Sequence, residues 1–179
     1  MTEIDVTEID VEIDALTESV VDQRSARVLS TRIFAFHELK QHSPTAHWRF
    51  DWGNEASATG RDVFGLVVDD GDVIEGLISF ERAEDHVFVH LVEIAPHNVG
   101  ENTVFRGVPG NLFAYVCLRS FEYGFSGFVA FDAKTELILH YQHSLGARQI
   151  GSSSRMIIDA ERARQLITQY FKEFDEWPS

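Results

Sequence analysis

Apolar and polar positions along the chain follow two patterns, and their order predicts layered secondary structure. Residues 86–94 are apolar on both alternating faces and rich in β-branched and aromatic side chains, which predicts a strand covered on both sides. Residues 112–123 form an apolar run that is too long for a typical strand and stops at Gly124, a residue suited to the end of a helix. A buried strand followed by a buried helix is typical of an α/β sheet with both faces covered.

The same patterns extend this α/β core in both directions. Residues 63–68 and 73–80 predict two strands, and the Asp-Gly step between them favours a hairpin, so that an antiparallel meander leads into the 86–94 strand. After the helix the pattern predicts a strand, a helix, two closing strands and an amphipathic helix, at residues 127–131, 134–144, 147–150, 155–159 and 161–171. Asp159 is suited to cap the last of these helices.

The residues before this core carry weaker patterns. Thr17 is suited to cap a helix that runs toward Leu29, and residues 33–39 are apolar and aromatic, which favours a second helix. Residues 47–52 alternate aromatic and charged side chains and predict a half-buried strand, although an aromatic cluster also suits the mouth of a ligand site. Small residues dominate the stretch 53–61 and predict a loop.

Residues 1–16 form an acidic arm in which isoleucine and valine alternate with aspartate and glutamate. Its Thr-Glu-Ile-Asp repeat has the period of a strand, but no basic residue precedes Arg24, so an isolated acidic strand would repel itself. We therefore expect a disordered or loosely docked arm ahead of a single domain over residues 17–179, with an integral added strand as the alternative. Such an arm also suits shielding of the protein's own binding cleft, or docking on a partner.

Composition and charge restrict the classes of function. A chain of 179 residues with a 44% hydrophobic fraction suits one globular domain. Its net charge of -14 disfavours nucleic-acid and anionic-membrane partners and would attract cationic substrates, unless it serves only solubility. The single Cys117 excludes an intramolecular disulfide, no apolar stretch reaches the length of a membrane span, and the acidic start is unlike a secretory signal. These features predict a soluble, cytoplasmic protein.

Two motifs within residues 62–171 resemble those of the GNAT superfamily of acyl-CoA-dependent N-acetyltransferases. The first is the family's pyrophosphate loop, Gln/Arg-x-x-Gly-x-Gly/Ala, for which the glycine-bearing residues 106–111 stand at the start of the predicted helix without a full match. The second is Asn-x-x-Ala-x-x-Leu-Tyr-x-x-x-Gly-Phe, of which this chain keeps Tyr141 and Gly146 with one extra residue between them. Lys134 takes the place of the asparagine, and the two motifs occur in the family's order with a strand between them.

This resemblance implies a fold and a co-substrate. The family has a central mixed sheet of about six to seven strands, with an antiparallel meander first and helices on both faces. Its members use acetyl-CoA, and a helix N-terminus beside glycines suits the pyrophosphate group of that molecule. Carried over to this chain, the cofactor-binding residues are two strand residues that would pair with the pantetheine arm and six loop or helix residues, namely Val92, Ile94, Arg106, Gly107, Val108, Gly110, Asn111 and Lys134. Lys134 suits contact with a phosphate, or simple exposure in the first turn of a helix.

The resemblance also implies two catalytic residues. Tyr141 lies where the family's tyrosine protonates the departing thiolate, a role that suits a phenol because its ordinary pKa is near 10. Glu93 ends the predicted 86–94 strand, where the family often has a glutamate that deprotonates the amine through water. Each has a structural alternative, a tyrosine packed on the sheet and a buried glutamate paired with an arginine. The histidines at positions 86, 90, 97, 140 and 143 follow no metal-ligand motif, so no metal is predicted.

Three functions are consistent with the sequence. The first is an N-acetyltransferase that transfers an acetyl group from acetyl-CoA to a primary amine, in a small molecule or a protein lysine, by direct attack. The second is a catalytically idle GNAT-like domain that binds acyl-CoA or acts as a sensor, which Pro109 favours because it lacks a donor N–H. The third is an acidic protein-interaction module, such as a DNA mimic or a toxin partner. Homodimers are common in the family, and neither nucleic acid nor a membrane is an expected partner.

Overall fold

Residues 8–14, 19–41, 48–69 and 71–171 are described by the structure, a computed structural model of the chain. Among them, the strands, numbered along the chain, are β1 (Val20–Asp22), β2 (Val28–Leu29), β3 (Thr31–Ala35), β4 (Asp62–Val68), β5 (Gly76–Arg82), β6 (Val87–Ile94), β7 (Phe105–Arg106), β8 (Val129–Asp132), β9 (Arg148–Gln149) and β10 (Arg155–Ile158). The α-helices are α1 (Trp52–Ser57), α2 (Val108–Glu122), α3 (Ile138–Ser144) and α4 (Ala160–Tyr170). Short 3-10 helices lie at Phe36–Gln41, Pro96–Asn98 and Thr135–Leu137.

Seven of these strands form one mixed sheet, in the spatial order β3-β4-β5-β6-β8-β10-β9. Strands β3 to β6 make an antiparallel meander, β6 and β8 are parallel, and β10 is antiparallel to both β8 and β9. The predicted α/β class, the mixed sheet of six to seven strands and the leading meander are therefore confirmed. Strands β2, β1 and β7 form a second, three-stranded sheet. Its strand β7 ends shortly before α2 begins.

Helices cover both faces of the large sheet. Side chains of α2, α3 and α4 pack with one set of strand residues in the main hydrophobic core. Trp52 of α1 and Leu39 pack on the opposite face in a smaller cluster. The close approach of α2 to the sheet depends on Gly76, because a Cβ atom there would lie 2.9 Å from Val108 and 3.0 Å from Leu112. This contact fixes the N-terminus of α2 against β5.

A bulge in β6 changes which of its side chains share a face. Leu91 lies opposite Ser79 and Val89 lies opposite Phe80, so His90 has no counterpart on β5. Strict alternation would place Val89 and Leu91 on the same face, but the extra residue places Val89 in the main core and Leu91 in the smaller cluster. The strict alternation that a regular strand predicts for residues 86–94 therefore fails at His90.

The helix predicted from Thr17 toward Leu29 is wrong over its described part. Residues 19–29 form the β1–β2 hairpin, in which Val20 lies opposite Leu29, while Thr17 lies outside the described residues. The side chain of Asp22 accepts the N–H of Arg24 at 2.8 Å and so closes the turn. The turn stabilised by Asp22 lets β1 pair with β2, and this pairing outweighs the helix signal from a single candidate cap.

Two further predictions for the early residues are wrong. Residues 33–39, predicted as a helix, continue β3 into a 3-10 helix, because β3 finds a partner in β4. Residues 48–51, predicted as part of a strand, form no regular element, and α1 begins at Trp52, the last residue of that predicted strand, and continues into the predicted loop. Asp51 caps α1 by accepting the N–H of Asn54 at 3.0 Å.

None of the helices among the described residues is long and apolar enough to cross a membrane.

Candidate active site

The parallel strands β6 and β8 pair over only three residues, and a cleft opens where they separate. Residues 87–89 pair with residues 129–131 of β8, whereas residues 92–94 pair with β5 alone among the described residues. The cleft contains a cavity of about 830 Å³. Its wall includes the end of β6, the acidic arm, Arg49, Pro109 and residues of the 96–103 and 134–137 segments. Residues 92–94 thus present a free backbone edge beside the cavity.

Residues 8–14 of the acidic arm run into this cleft. The N–H of Ile9 donates to the carbonyl of Asp132 at 2.7 Å, and the N–H of Lys134 donates to the carbonyl of Ile9 at 3.0 Å. Ile9 therefore pairs in parallel with Ala133, just beyond the end of β8. The side chains of Ile9 and Ile13 are only 2% and 6% exposed and belong to the main core. The arm thus occupies part of the space that opens where β6 diverges from β8.

Tyr141 of α3 is fully buried and contacts the acidic arm. Its hydroxyl donates to the carbonyl of Val11 at 2.5 Å, and its ring packs edge-on against Phe131. Burial raises the pKa of Tyr141 well above the ordinary value of a phenol, and the charges of Asp10 and Glu12 raise it further. The phenol is therefore held in its protonated form, which a proton donor requires, but its hydrogen bond is already given to the arm.

The N-terminus of α2 contacts the acidic arm as well. Gly107 caps this helix with a left-handed φ of 94°, and its N–H donates to Oδ1 of Asp14 at 3.1 Å. A carboxylate is favoured at this position because the unpaired N–H groups and the dipole of the helix attract an anion. Pro109, in the first turn, removes one donor that another residue would offer.

Three residues predicted to bind the cofactor offer no side-chain group to the cavity. Val108 packs against Gly76, and a Cβ atom at Gly110 would collide with the hydroxyl of Tyr170 on α4. Asn111 is fully buried, its N–H donates to the carbonyl of Gly107, and its side-chain amide has no hydrogen-bond partner among the described residues. The groups that remain for a ligand in this turn are the backbone N–H groups of Val108 and Gly110.

The two predicted cationic residues are both exposed. Arg106 lies on β7, opposite Val21, and directly precedes Gly107, the cap of α2. Lys134 lines the cavity, and its backbone N–H holds the acidic arm through Ile9. Both side chains are free of the buried core and therefore accessible to a ligand at the edge of the cleft.

Glu93 lines the cavity and also holds the segment that leads into α1. Its carboxylate accepts hydrogen bonds from the backbone N–H groups of Arg49 at 2.6 Å and Phe50 at 3.1 Å, and from Nε1 of Trp52 at 2.9 Å. A carboxylate has about four acceptor positions, so about one remains for a water molecule or an amine. Glu93 does contact an arginine, but through the backbone of Arg49 and not through its guanidinium group.

Several residues of the site were not predicted from the sequence. The guanidinium of Arg49 forms two hydrogen bonds with the carboxylate of Asp10, at 3.0 and 3.2 Å. Nε2 of His140, considered only as a metal ligand, accepts the N–H of Ile13 at 2.8 Å. The alternation of isoleucine and acid in the arm signalled a strand with one apolar face, but it did not identify the partner of that strand.

Carboxylates outnumber cationic groups around the cavity. Five carboxylates contribute to its wall, from Asp10, Glu12, Asp14, Glu93 and Glu136, against the two cations of Arg49 and Lys134. A field of this sign attracts a cationic amine and opposes the entry of a molecule that carries phosphates. Three of the five carboxylates belong to the acidic arm, so the charge of the cleft depends on whether the arm is in place.

The histidines that invited a metal hypothesis are dispersed. His90 binds Glu81 at 2.8 Å, and His97 binds the buried Glu75 at 2.6 Å. Burial lowers the pKa of His90 below its ordinary value. Across the described part of the chain, no group of three or more histidine, cysteine, aspartate or glutamate side chains could hold a metal ion.

Comparison with known proteins identifies the fold. No protein-family model matches the chain, and no curated protein matches its sequence. Among solved structures, it is similar to a tyrosine-to-phenylalanine variant of the AtaT toxin bound to the C-terminus of the antitoxin AtaR (TM-score 0.54, 14% identity, 78% of this chain and 98% of that chain). It is similar as well to AtaTR bound with AcCoA (TM-score 0.52, 13% identity, 77% and 98%) and, at a TM-score of 0.49, to the ribosomal-protein-S18-alanine N-acetyltransferase from Escherichia coli (12% identity, 72% and 91%). The chain has the fold of the GNAT N-acetyltransferases.

Proposed function

We propose that this protein is an acyl-CoA-dependent N-acyltransferase that transfers an acetyl group from acetyl-CoA to a primary amine. The observation that carries the proposal is the grouping of three elements around one cleft of a GNAT fold. These elements are the free backbone edge of residues 92–94, the N-terminus of α2 and the hydroxyl of Tyr141. A pantetheine arm would pair with the first, a pyrophosphate would bind the second, and the thioester sulfur would lie near the third.

The N-terminus of α2 suits the anionic part of acetyl-CoA. It already holds the carboxylate of Asp14, which supports its ability to bind an anion. The N–H groups of Gly107, Val108 and Gly110 would serve as donors to the pyrophosphate, although Pro109 leaves this turn with one donor fewer. Arg106 and Lys134, both exposed, would add positive charge near the phosphates.

Glu93 would act as the base of the transfer and Tyr141 as the acid. Glu93 accepts a proton from the amine through a water molecule, for which it has a free acceptor position. The amine nitrogen then bonds to the acetyl carbon as the carbon–sulfur bond breaks, and Tyr141 gives its proton to the sulfur. The proton that Glu93 takes from the ammonium group passes to solvent. The second proton, which the nitrogen loses as the amide forms, returns through solvent to Tyr141 and replaces the one given to sulfur. Holding both substrates in one cleft supplies much of the acceleration.

The acceptor is a cationic amine. The carboxylates of Glu93 and Glu136 line the cavity, and the net charge of the chain is -14, so a positively charged substrate is drawn toward the cleft. A small polyamine, an amino sugar and the lysine side chain of a protein all meet this requirement.

The test is a calorimetric titration of the full chain with acetyl-CoA, up to millimolar concentrations, followed by a thiol-release assay with a panel of amines. We expect saturable binding of acetyl-CoA and thiol release that requires an amine. Absence of binding at millimolar acetyl-CoA, both by the full chain and by a folded variant whose residues 9–14 are released from the cleft, would contradict the proposal. The panel contains polyamines, amino sugars and lysine peptides, so the same assay identifies the class of acceptor.

A second candidate function is an idle GNAT domain that binds acyl-CoA without transferring the acyl group. Two observations favour it: the hydroxyl of Tyr141 is hydrogen-bonded to the acidic arm, and Pro109 interrupts the donors of the pyrophosphate turn. Binding of acetyl-CoA together with no thiol release for any amine of the panel would favour this candidate over the enzyme.

A further inference from the structure

The acidic arm contacts the same atoms that the proposed reaction needs. The hydroxyl of Tyr141, which would protonate the departing thiolate, donates to the carbonyl of Val11. The N–H of Gly107, which would bind the pyrophosphate, donates to the carboxylate of Asp14. A hydroxyl gives only one hydrogen bond as a donor, as does a backbone N–H, so neither group serves the arm and acetyl-CoA fully at the same time.

Resting on the proposed function, we infer that residues 9–14 of the acidic arm are an internal competitor of acetyl-CoA. The arm fills part of the cofactor's path, and it leaves the cleft before acetyl-CoA binds. The protein in the state described here is therefore autoinhibited. Activation consists of the release of a segment of its own chain.

Asp14 resembles the ligand that it excludes. Its carboxylate oxygen Oδ1 lies 3.1 Å from the backbone nitrogen of Gly107, the position that a phosphate oxygen of acetyl-CoA would occupy. From Val11 to Asp14 the extended chain advances by about 10 Å, so one short segment reaches both the tyrosine and the helix N-terminus. The acidic arm thus supplies a hydrogen-bond acceptor to the N-terminus of α2 and another to the hydroxyl of Tyr141.

Release of the acidic arm also changes the charge of the cleft in favour of acetyl-CoA. Asp10, Glu12 and Asp14 leave with the arm, and Arg49 loses its carboxylate partner Asp10. The charged groups that remain around the cavity are then balanced, with Glu93 and Glu136 against Arg49 and Lys134. The arm therefore opposes a polyphosphate by charge as well as by occupancy.

The contacts of the acidic arm suit a segment that binds and leaves as a unit. Its backbone pairs with the sheet at a single bridge, between Ile9 and Ala133, and no regular strand forms over residues 8–14. The other anchors are separate contacts with different parts of the molecule. They include the side chain of Ile13 in the core, Asp10 on Arg49, and the carbonyl of Val11 on Tyr141. A strand integral to the sheet would instead form a continuous ladder of hydrogen bonds.

The first test is hydrogen–deuterium exchange of the full, unmodified chain with and without saturating acetyl-CoA. The amides of Ile9 and Ile13 donate to Asp132 and His140, so they are protected while the arm is docked. We expect their exchange to accelerate at least about tenfold when acetyl-CoA binds, because the arm is displaced. The amide of Cys117, in the middle of α2, is the control and keeps its protection.

The second test loosens the acidic arm in the full chain by replacing two buried side chains, Ile9→Glu with Ile13→Glu. A charge cannot stay in the apolar core, so the arm leaves the cleft. If the arm is docked in about 99% of molecules, the dissociation constant of acetyl-CoA falls by up to about 100-fold. The control adds the same two charges to exposed turns, Gln23→Glu with Ser152→Glu, and is expected to leave the affinity unchanged. Thermal unfolding establishes that both variants are folded.

The outcomes separate this inference from the function on which it rests. Tighter binding of acetyl-CoA by the loosened variant, with faster exchange at Ile9 and Ile13 in the unmodified chain, supports the inference. Binding of acetyl-CoA while both amides stay protected means that arm and cofactor occupy the cleft together, which overturns the inference and leaves the proposed function intact. If the folded loosened variant also binds no acetyl-CoA, the proposed function is wrong, and the inference with it.

Discussion

The two sides of the cleft are held in different ways. On the β6 side, residues 92–94 pair with β5, and Glu93 fixes the approach to α1 through three hydrogen bonds. On the β8 side, Tyr141, His140 and the cap of α2 all donate to or accept from the acidic arm. We expect the first side, which is built from neighbouring strands, to be rigid, whereas the second depends on a segment that pairs with the sheet at one bridge.

This difference indicates where the cleft can change. A rigid side that already presents its backbone edge is ready to pair with an extended ligand without rearrangement. A side whose polar groups are satisfied by a docked segment exposes them only when that segment leaves, and the released groups are then the ones that bind the ligand. The proposed reaction places its base, Glu93, on the rigid side and its acid, Tyr141, on the covered side.

The substitution Tyr141→Phe is expected to have the largest effect on the covered side. Loss of the proton donor lowers kcat by about 10- to 1,000-fold, while the affinity for acetyl-CoA is kept or increased, because the arm loses one hydrogen bond. Steady-state thiol release and calorimetry measure the two effects. The control is Tyr115→Phe, the same chemical change on α2 away from the cavity, and an equal loss of kcat in both variants would remove Tyr141 from the mechanism.

The substitution Glu93→Ala tests the rigid side. The variant leaves the N–H groups of Arg49 and Phe50 and the indole of Trp52 without their acceptor, so the free energy of unfolding falls by about 2 to 3 kcal/mol. Denaturant unfolding measures this change. Glu136→Ala removes a carboxylate from the same cavity wall at an exposed position, and we expect its stability to change by less than about 0.5 kcal/mol.

The sequence predicted the strands and α-helices from β4 onward, apart from the two-residue strand β7, because strong local signals bound them. Gly124 follows α2 with a φ of 85°, Gly146 follows α3 with a φ of 66°, and the side chain of Asp159 caps α4. Long apolar runs between such residues leave few alternatives. The early segments are short, and their structure depends on partners elsewhere in the chain, as β3 does on β4.

The candidate site was less predictable, because its contacts are distant in sequence. Asp14 reaches Gly107 across 93 residues, Ile13 reaches His140 across 127, and Val11 reaches Tyr141 across 130. Motif spacing selected Tyr141 and Glu93, and the structure places Glu93 on the cavity and Tyr141 at a hydrogen bond from the arm that lines it. No local pattern encodes the docking of one segment against groups that lie so far along the chain.

The substitution Ile13→Ala distinguishes a docked arm from an integral strand. Replacing a buried isoleucine of the sheet, as in Ile78→Ala, costs about 2 to 5 kcal/mol of unfolding free energy. Ile13→Ala is expected to cost less, about 1 to 2 kcal/mol, because the arm can detach before the sheet unfolds. Denaturant unfolding compares the two, and equal costs would show that the arm belongs to the cooperative unit of the sheet.

The substitution Asp14→Ala is expected to have the smallest effect on affinity for acetyl-CoA, and it tests the anion site of the covered side directly. It removes the carboxylate that the N-terminus of α2 holds, so acetyl-CoA is expected to bind about two- to fivefold more tightly, with a gain that shrinks as salt is added. Glu12→Ala removes an equal charge from the same cavity wall without a contact to Gly107. If occupancy of the anion site matters, Asp14→Ala has the greater effect in calorimetric titrations at low salt. Equal gains in the two variants would mean that the arm acts on acetyl-CoA through its overall charge alone, and that the anion site is open even while the arm is docked.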